Sequence, residues 1–75
     1  MSQLSIKAHV TGTVVELIVN DGVVVSEEDD LIIFESMKMH VPLVSPRAGK
    51  VISMLVSVGD VVEEGQAAVL LEVED

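Results

Sequence analysis

The chain is a succession of short apolar runs separated by glycines and polar clusters. Glycine stands at positions 12, 22, 49, 59 and 65, and the runs between these positions are rich in valine and have the length of strands rather than helices. The predicted strands are Leu4–Val10, Gly12–Val19, Val23–Val25, Leu31–Ser36, Met39–Val44, Gly49–Val56, Val61–Glu63 and Ala67–Val73. Eight strands fit two sheets of four.

One segment has a competing interpretation as a helix. Ser26 and Asp29 resemble a helix capping box, and the stretch that follows them as far as Val41 contains no glycine or proline. Two observations favour strands instead. Residues 31–34 are apolar on every side rather than striped, and the repeated copy described next has Gly65 where the helix would begin.

The chain contains an internal repeat. A shift of 37 residues places positions 8–38 on 45–75 without a gap and gives eight identities over 31 positions, including Gly12 on Gly49 and Gly22 on Gly59. Two copies that cannot each bury an apolar face alone are expected to pack together about a pseudo-twofold axis. Segment 39–44 joins the copies and is predicted to lie outside the repeat. Glu28 aligns with Gly65 in the other copy. Because glycine adopts positive φ far more readily than glutamate does, the turn at 26–30 is expected to differ from its counterpart.

Composition supports an all-β fold and a single domain over residues 1–75. Val, Ile and Thr make up 23 of the 75 residues, and Phe34 is the one aromatic residue, so the core must be aliphatic. Met54 is predicted to belong to that core. The absence of cysteine excludes disulfides and thiolate–zinc sites.

The charge balance limits the partners. A formal net charge of −9 disfavours binding to nucleic acids and anionic membrane surfaces. No apolar run has the length of a membrane span, and residues 1–10 lack the pattern of a secretory signal, so a cytoplasmic location is expected.

A short motif carries a family resemblance. Glu35-Ser36-Met37-Lys38-Met39, followed by Val-Pro-Leu at 41–43 and by residues 45–51, resembles the attachment motif of biotinyl domains, Glu-Ala/Ser-Met-Lys-Met. The glycines match the family's framework, and the resemblance extends from about residue 4 to residue 74. The chain is therefore similar to the biotin/lipoyl attachment family, and to its biotin carboxyl carrier members in particular.

The resemblance implies both a fold and a function. The implied fold is a flattened β-barrel, or barrel-sandwich hybrid, of two four-stranded antiparallel sheets, with Lys38 on an exposed hairpin and both termini at the opposite end. A biotin protein ligase would attach biotin to Lys38. The domain would then carry carboxyl groups from a biotin carboxylase to a carboxyltransferase, as a monomeric and non-catalytic carrier.

The resemblance also suggests roles for the residues around Lys38. Met37 and Met39 are predicted to flank the lysine as recognition residues, because methionine is adaptable and favours partner surfaces. Glu35 and Ser36 complete the motif, although Glu72 matches Glu35 in the other copy, so a shared structural role for the two glutamates is equally open. His40 is expected to face solvent rather than to tune the lysine.

No catalytic set or metal site is predicted. The two histidines, His9 and His40, are not part of a nucleophile–base arrangement. The acidic run at 27–30 lacks the spaced ligands and the central glycine of a calcium loop, and is expected to be a solvated turn.

Two alternatives to the biotin carrier remain. A lipoyl carrier would share the fold, but lipoyl lysines usually lie in Asp-Lys-Ala or Val-Lys-Ala contexts, so Met-Lys-Met favours biotin. An unmodified adaptor domain would leave Lys38 merely exposed. The sequence departs from the family at Val23, where Asp is usual after glycine, and contains no insertion resembling the thumb of some bacterial carriers. It does not identify the carboxyl acceptor.

Overall fold

The computed structural model describes residues 2–74, and the regular secondary structure in that range consists of strands. These are β1 (Ser2–Lys7), β2 (Gly12–Leu17), β3 (Val24–Val25), β4 (Asp30–Ser36), β5 (Met39–Val44), β6 (Gly49–Met54), β7 (Val61–Val62) and β8 (Ala67–Val73). All eight predicted strands are present, and their ends differ from the prediction by at most three residues. The helical alternative was wrong, because β4 begins where that helix would have run. Over residues 2–74, no helix is long and apolar enough to cross a membrane.

The strands form two antiparallel four-stranded sheets, which confirms the predicted flattened barrel. Their orders are β1-β8-β6-β3 and β5-β4-β2-β7, and the 37-residue shift converts one order into the other. If β1 is counted with the first copy and β5 with the second, the two central strands of each sheet come from one copy and the two edge strands come from the other. The copies are therefore intertwined, and neither completes a sheet alone.

The structural repeat is longer than the sequence repeat. Adding 37 to Ser2–Lys7 gives Met39–Val44, so β1 and β5 are equivalent, and their patterns of buried and exposed residues are the same. The prediction that segment 39–44 lies outside the repeat was wrong. The two strands share no identical residue at equivalent positions, and only the inward-facing apolar positions, such as Ile6 and Leu43, reveal the match.

The core between the sheets is aliphatic apart from Phe34. Phe34 is completely buried, and Met54 is partly buried against the core, as expected from the sequence. The other buried apolar residues are Ile6, Ala8, Val14, Val25, Leu31, Ile32, Leu43, Val51, Val56, Val62, Ala68, Val69, Leu71 and Val73. Both copies contribute to this list, so the core joins them.

Reciprocal hydrogen bonds lock the two copies together at their turns. The Gly65 N–H donates to the Ala8 carbonyl at 2.8 Å, and at the equivalent place the Glu28 N–H donates to the Ser45 carbonyl at 2.7 Å. In return, the Ala8 N–H donates to the Gln66 carbonyl, just as the Ser45 N–H donates to that of Asp29. Each turn is thus held by the first residues of the other copy.

The turn containing Glu28 matches its counterpart, contrary to the sequence expectation. Glu28 adopts φ 72°, close to the 90° of Gly65. A side-chain bond across the turn is also repeated, since the Asp29 carboxylate accepts from the Ser26 N–H and the Gln66 side chain accepts from the Glu63 N–H. The hydrogen bond to Ser45 is thus made with Glu28 in a conformation that glutamate adopts only at a cost.

Replacing Glu28 with glycine should stabilise the domain. Glycine adopts positive φ without the steric penalty, so Glu28→Gly is expected to raise the free energy of unfolding by roughly 0.5–1 kcal/mol, after allowance for the greater freedom of the unfolded chain. Urea denaturation measures this difference. The matched change Glu27→Gly, at a turn residue without positive φ, should bring no gain, and equal effects of the two changes would contradict the explanation.

Two equivalent glycines allow close packing of backbone on backbone. A Cβ placed on Gly12 would overlap the carbonyl oxygen of Glu35, and one on Gly49 would overlap that of Glu72. Both clashes are with strand backbone, which cannot move aside as a flexible side chain could. Glycine at these positions therefore sets the distance between β2 and β4, and between β6 and β8.

Gly12→Ala and Gly49→Ala should each lower the free energy of unfolding by about 2–3 kcal/mol, in the range observed for overpacking. Gly22→Ala is the control, because a Cβ there meets nothing within 4 Å and bears only the penalty of φ 88°, about 1 kcal/mol. Urea unfolding of all three variants tests the comparison. A cost for Gly12→Ala no larger than that for Gly22→Ala would show that the close approach is not limiting.

Candidate functional site

The motif predicted from the sequence forms a tight hairpin at one end of the molecule. β4 and β5 remain paired as far as Ser36 and Met39, which leaves Met37 and Lys38 as a two-residue turn. Both turn residues have positive φ, 51° for Met37 and 65° for Lys38. This is the pattern of a type I′ turn, whose twist matches that of the flanking strands and which usually contains Asn-Gly. Here two long side chains occupy a conformation that disfavours them.

The turn presents Lys38 to solvent between two exposed methionines. The side chains of Met37 and Met39 are 93% and 65% exposed, and Lys38 is also exposed. Among the described residues, no side chain or backbone group forms a hydrogen bond or ion pair with the Lys38 amine. A large acyl group on the Lys38 Nζ would therefore displace no existing interaction, so the site fits a covalently attached cofactor.

Glu35 and His40 lie beside each other just below the turn. They are cross-strand partners, and the Glu35 Oε2 lies 4.0 Å from the His40 Nε2, with both side chains more than half exposed. Glu72, the counterpart of Glu35, has Gln3 at the place equivalent to His40, and its basic partner Lys50 lies on the opposite side, on β6. The two glutamates thus occupy equivalent places, and only Glu35 lies next to the hairpin.

Ser36 connects the hairpin to a neighbouring turn through Thr11. The Ser36 Oγ donates to the Thr11 carbonyl at 2.8 Å, and the Thr11 Oγ1 accepts from the Glu64 N–H at 3.1 Å. The sequence analysis did not single out Thr11. No motif marks it, and only its position immediately before Gly12 could have drawn attention to it.

The hairpin and the paired ends of β1 and β8 lie at opposite ends of the molecule. Ser2 of β1 pairs with Val73 of β8. The equivalent pair in the other sheet is Met39 of β5 with Ser36 of β4, which closes the hairpin. Val44, at the end of β5 away from the hairpin, leads through the turn at 45–48 into Gly49, which lies beside the end of β8. The long dimension of the molecule is 37 Å. Lys38 is therefore remote from the beginning of β1 and the end of β8.

Other polar features lie away from this hairpin. A groove of about 560 Å³ at the far end is lined by Arg47, Lys50 and Glu72 among others, and the Arg47 guanidinium donates to the Glu74 carbonyl there. Within residues 2–74, no three His, Asp or Glu side chains are grouped so that they could hold a metal ion. The turn of the hairpin displays the Lys38 amine, with the exposed side chains of Glu35 and His40 beside its base.

The sequence profile of the biotin/lipoyl family, described as "Biotin-requiring enzyme", matches residues 4–71. The chain belongs to the biotin/lipoyl family. The match covers all eight strands at least in part, and it includes the hairpin and both copies of the repeat. It also confirms the family predicted from the Met-Lys-Met motif.

Relatives of this biotin/lipoyl domain include both biotin and lipoyl proteins. It is 38% identical over 60 residues to the biotinylated protein TB7.3 homolog of Mycobacterium leprae, covering 80% of this chain and 84% of that one. It is 41% identical over 61 residues to the dihydrolipoyllysine-residue acetyltransferase component of the pyruvate dehydrogenase complex of Azotobacter vinelandii, covering 81% of this chain but 10% of the relative. The alignment therefore spans most of one relative and a small part of the other.

A solved structure shares the fold. The structure of a single-chain, multi-domain long-chain acyl-CoA carboxylase superposes on the biotin/lipoyl domain with a TM-score of 0.90 at 30% identity, covering 97% of this chain and 7% of the carboxylase. The domain thus has the architecture of one small part of a much larger carboxylase.

Substituting the turn with its preferred residues tests how much strain the hairpin holds. The free energy of unfolding of a Met37→Asn, Lys38→Gly double variant should be roughly 1–2 kcal/mol higher than that of the original domain, because both new residues favour positive φ. Urea denaturation measures the gain. Met39→Asn, which lies in β5 rather than in the turn, serves as the control. A double variant no more stable than the starting domain would show that the Met-Lys turn is not strained.

Proposed function

We propose that this biotin/lipoyl domain is a biotin carrier and that residues 1–75 constitute it. In this proposal Lys38 is the attachment residue, biotin is the cofactor, and the domain is a non-catalytic component of a biotin-dependent carboxylase. The observation that carries the proposal is the display of Lys38 on a two-residue hairpin between two exposed methionines, with no hydrogen bond or ion pair to its amine from any of residues 2–74.

The hairpin suits attachment through its rigidity and exposure together. The Lys38 amine must reach the active site of a ligase while the domain remains folded. Strands β4 and β5 fix the direction of the turn, and the turn lifts the lysine clear of the sheets. By contrast, Lys50 on β6 has a cross-strand glutamate partner, Glu72, and lies at the far end of the barrel.

Attachment would form an amide between the Lys38 Nζ and the cofactor carboxyl. The amine attacks only after it has lost its proton, and the activating group leaves the acyl carbon as the amide forms. This chain supplies the nucleophile and its position, while the ligase would supply the activated acid and accept the proton. Bound biotin would supply a ring that takes up a carboxyl group from a biotin carboxylase and releases it to a carboxyltransferase.

Met37 and Met39 would serve as recognition residues in this proposal. Both are too exposed to contribute to the core, and the thioether side chain adapts to different surfaces. A carrier must contact a ligase, a carboxylase and a transferase in turn. The two flexible methionine side chains beside the lysine would adapt to the surface of each partner, so the domain would not need a separate recognition surface for each enzyme.

The charge of the domain favours short encounters. The formal net charge of −9 would become −10 when the Lys38 amine is converted to an amide. Such a domain is steered towards basic surfaces, and steering of this kind increases association rates more than affinity. Glu35, exposed at the base of the hairpin, would place part of that charge beside the lysine.

A lipoyl carrier is the second candidate, because one relative is a component that bears a dihydrolipoyllysine residue. The geometry of the hairpin suits either cofactor. The methionines on both sides of Lys38 favour biotin, since they match the motif of biotinyl domains that the sequence resembles. An unmodified adaptor domain is the third candidate.

Co-expression with a biotin protein ligase tests the proposal. We expect one biotinoyl group per chain, measured by intact mass and a streptavidin blot, and complete loss of it in Lys38→Arg. Lys50→Arg is the matched control and should be modified normally. Folding of each variant is checked by urea denaturation.

The other outcomes separate the candidates. A lipoyl mass increment at Lys38, in a host that supplies both ligases, would transfer the assignment to the lipoyl branch. Unmodified protein in such a host would favour the adaptor. Modification that persists in Lys38→Arg would place the attachment site elsewhere.

A further inference from the structure

The hydrogen bonds of Thr11 join three segments at the end of the molecule that bears Lys38. The Thr11 carbonyl accepts from the Ser36 hydroxyl, at the base of the hairpin, and the Thr11 hydroxyl accepts from the Glu64 N–H in the β7–β8 turn. That turn is itself fixed by the bond from Gly65 to Ala8. Thr11 therefore ties the strained hairpin to a part of the barrel that is already held in place.

The pseudo-twofold axis provides an internal comparison. The counterparts of Thr11, Ser36 and Glu64 in the repeat are Ala48, Val73 and Glu27. Neither the alanine nor the valine has a side-chain hydroxyl, so the two side-chain bonds cannot form at that end. The rest of the backbone network is repeated closely, and this link is specific to the half with the lysine.

A reason for the link lies in the turn. Met37 and Lys38 both adopt positive φ, and such conformations persist only when the surrounding structure holds them. Pairing of β4 with β5 restrains the hairpin from one side. The Ser36–Thr11 bond restrains its base from the β2 side, at the last residue before the turn.

We propose that Thr11 is a positioning residue that, together with Ser36, holds the hairpin in the conformation that presents Lys38. The inference rests on the proposed attachment at Lys38. Thr11 does not contact the reacting amine. Thr11 raises the fraction of domains whose turn has the conformation that the partner enzyme binds. When that fraction falls, the apparent affinity of the enzyme for the domain falls in proportion.

Three variants and one control test the inference in the full chain. Thr11→Val removes the hydroxyl that accepts from the Glu64 N–H, at nearly constant side-chain volume. Ser36→Ala removes the hydroxyl that donates to the Thr11 carbonyl. Thr11→Ser keeps a hydroxyl at position 11. Ser5→Ala is the control, because it removes an exposed hydroxyl from β1 in the other sheet. Two quantities are measured: the KM and kcat for biotinylation by a biotin protein ligase, and the hydrogen-exchange rates of the amides at positions 36 and 39, the pair that closes the turn.

Thr11→Val and Ser36→Ala are expected to raise KM roughly two- to tenfold with kcat little changed, the range that corresponds to the loss of one ordinary hydrogen bond. Amide exchange at positions 36 and 39 should accelerate by a similar factor. Thr11→Ser and Ser5→Ala should behave like the original chain. Hydrogen exchange separates this effect from a general loss of stability, because a general loss would accelerate exchange throughout the barrel and not only beside the hairpin.

Failure of this inference is distinguishable from failure of the proposed function. If the original chain is biotinylated and both variants keep its KM and exchange rates, Thr11 does not position the hairpin. If the original chain is not modified, the attachment proposal fails, and exchange alone decides whether Thr11 and Ser36 hold the turn. Faster exchange at positions 36 and 39 in Thr11→Val would then support the link, and unchanged exchange would overturn it.

Discussion

The exchange of backbone hydrogen bonds between the two copies of the repeat is the constraint on which the fold depends. The turn of each copy bonds to the first residues of the other, through Gly65 and Ala8 on one side and through Glu28 and Ser45 on the other. Because each sheet also takes its edge strands from the opposite copy, one copy alone would leave strands unpaired and half of the core exposed. A chain of 75 residues without cysteine thus folds as a single interlocked core, and the hairpin projects from a rigid base.

The site lies where the pseudo-symmetry is broken. The fold provides two equivalent ends, but β4 and β5 are joined by a turn at one of them, whereas at the other β1 begins beside the end of β8. The residues around the two ends also differ: Thr11 and Ser36 link the hairpin to its surroundings, while Arg47 bonds to the Glu74 carbonyl at the far end. Repetition accounts for the barrel, and the differences between the copies account for the display of Lys38 on the hairpin.

The sequence was sufficient to predict the strands, the two sheets and the position of the motif, because these follow from the glycine spacing, the valine-rich runs and the internal repeat. It failed where tertiary contacts override local preference. Glu28 adopts positive φ because its N–H must reach the Ser45 carbonyl, and β5 matches β1 in burial pattern without sharing a residue. The role of Thr11 was not predictable, because its partners are 25 and 53 residues away and no local motif records such bonds.

The cost of the Met-Lys turn has a physical rationale in a carrier. Asn-Gly would relieve the positive φ values but would present no amine, and a longer loop would relieve them but leave the lysine without a fixed direction. A two-residue turn with long side chains combines reach with orientation. Strain of this kind can be maintained only if the base of the turn is held firmly, so the interlocked barrel and the exposed lysine are linked: the stability of the first makes the conformation of the second possible.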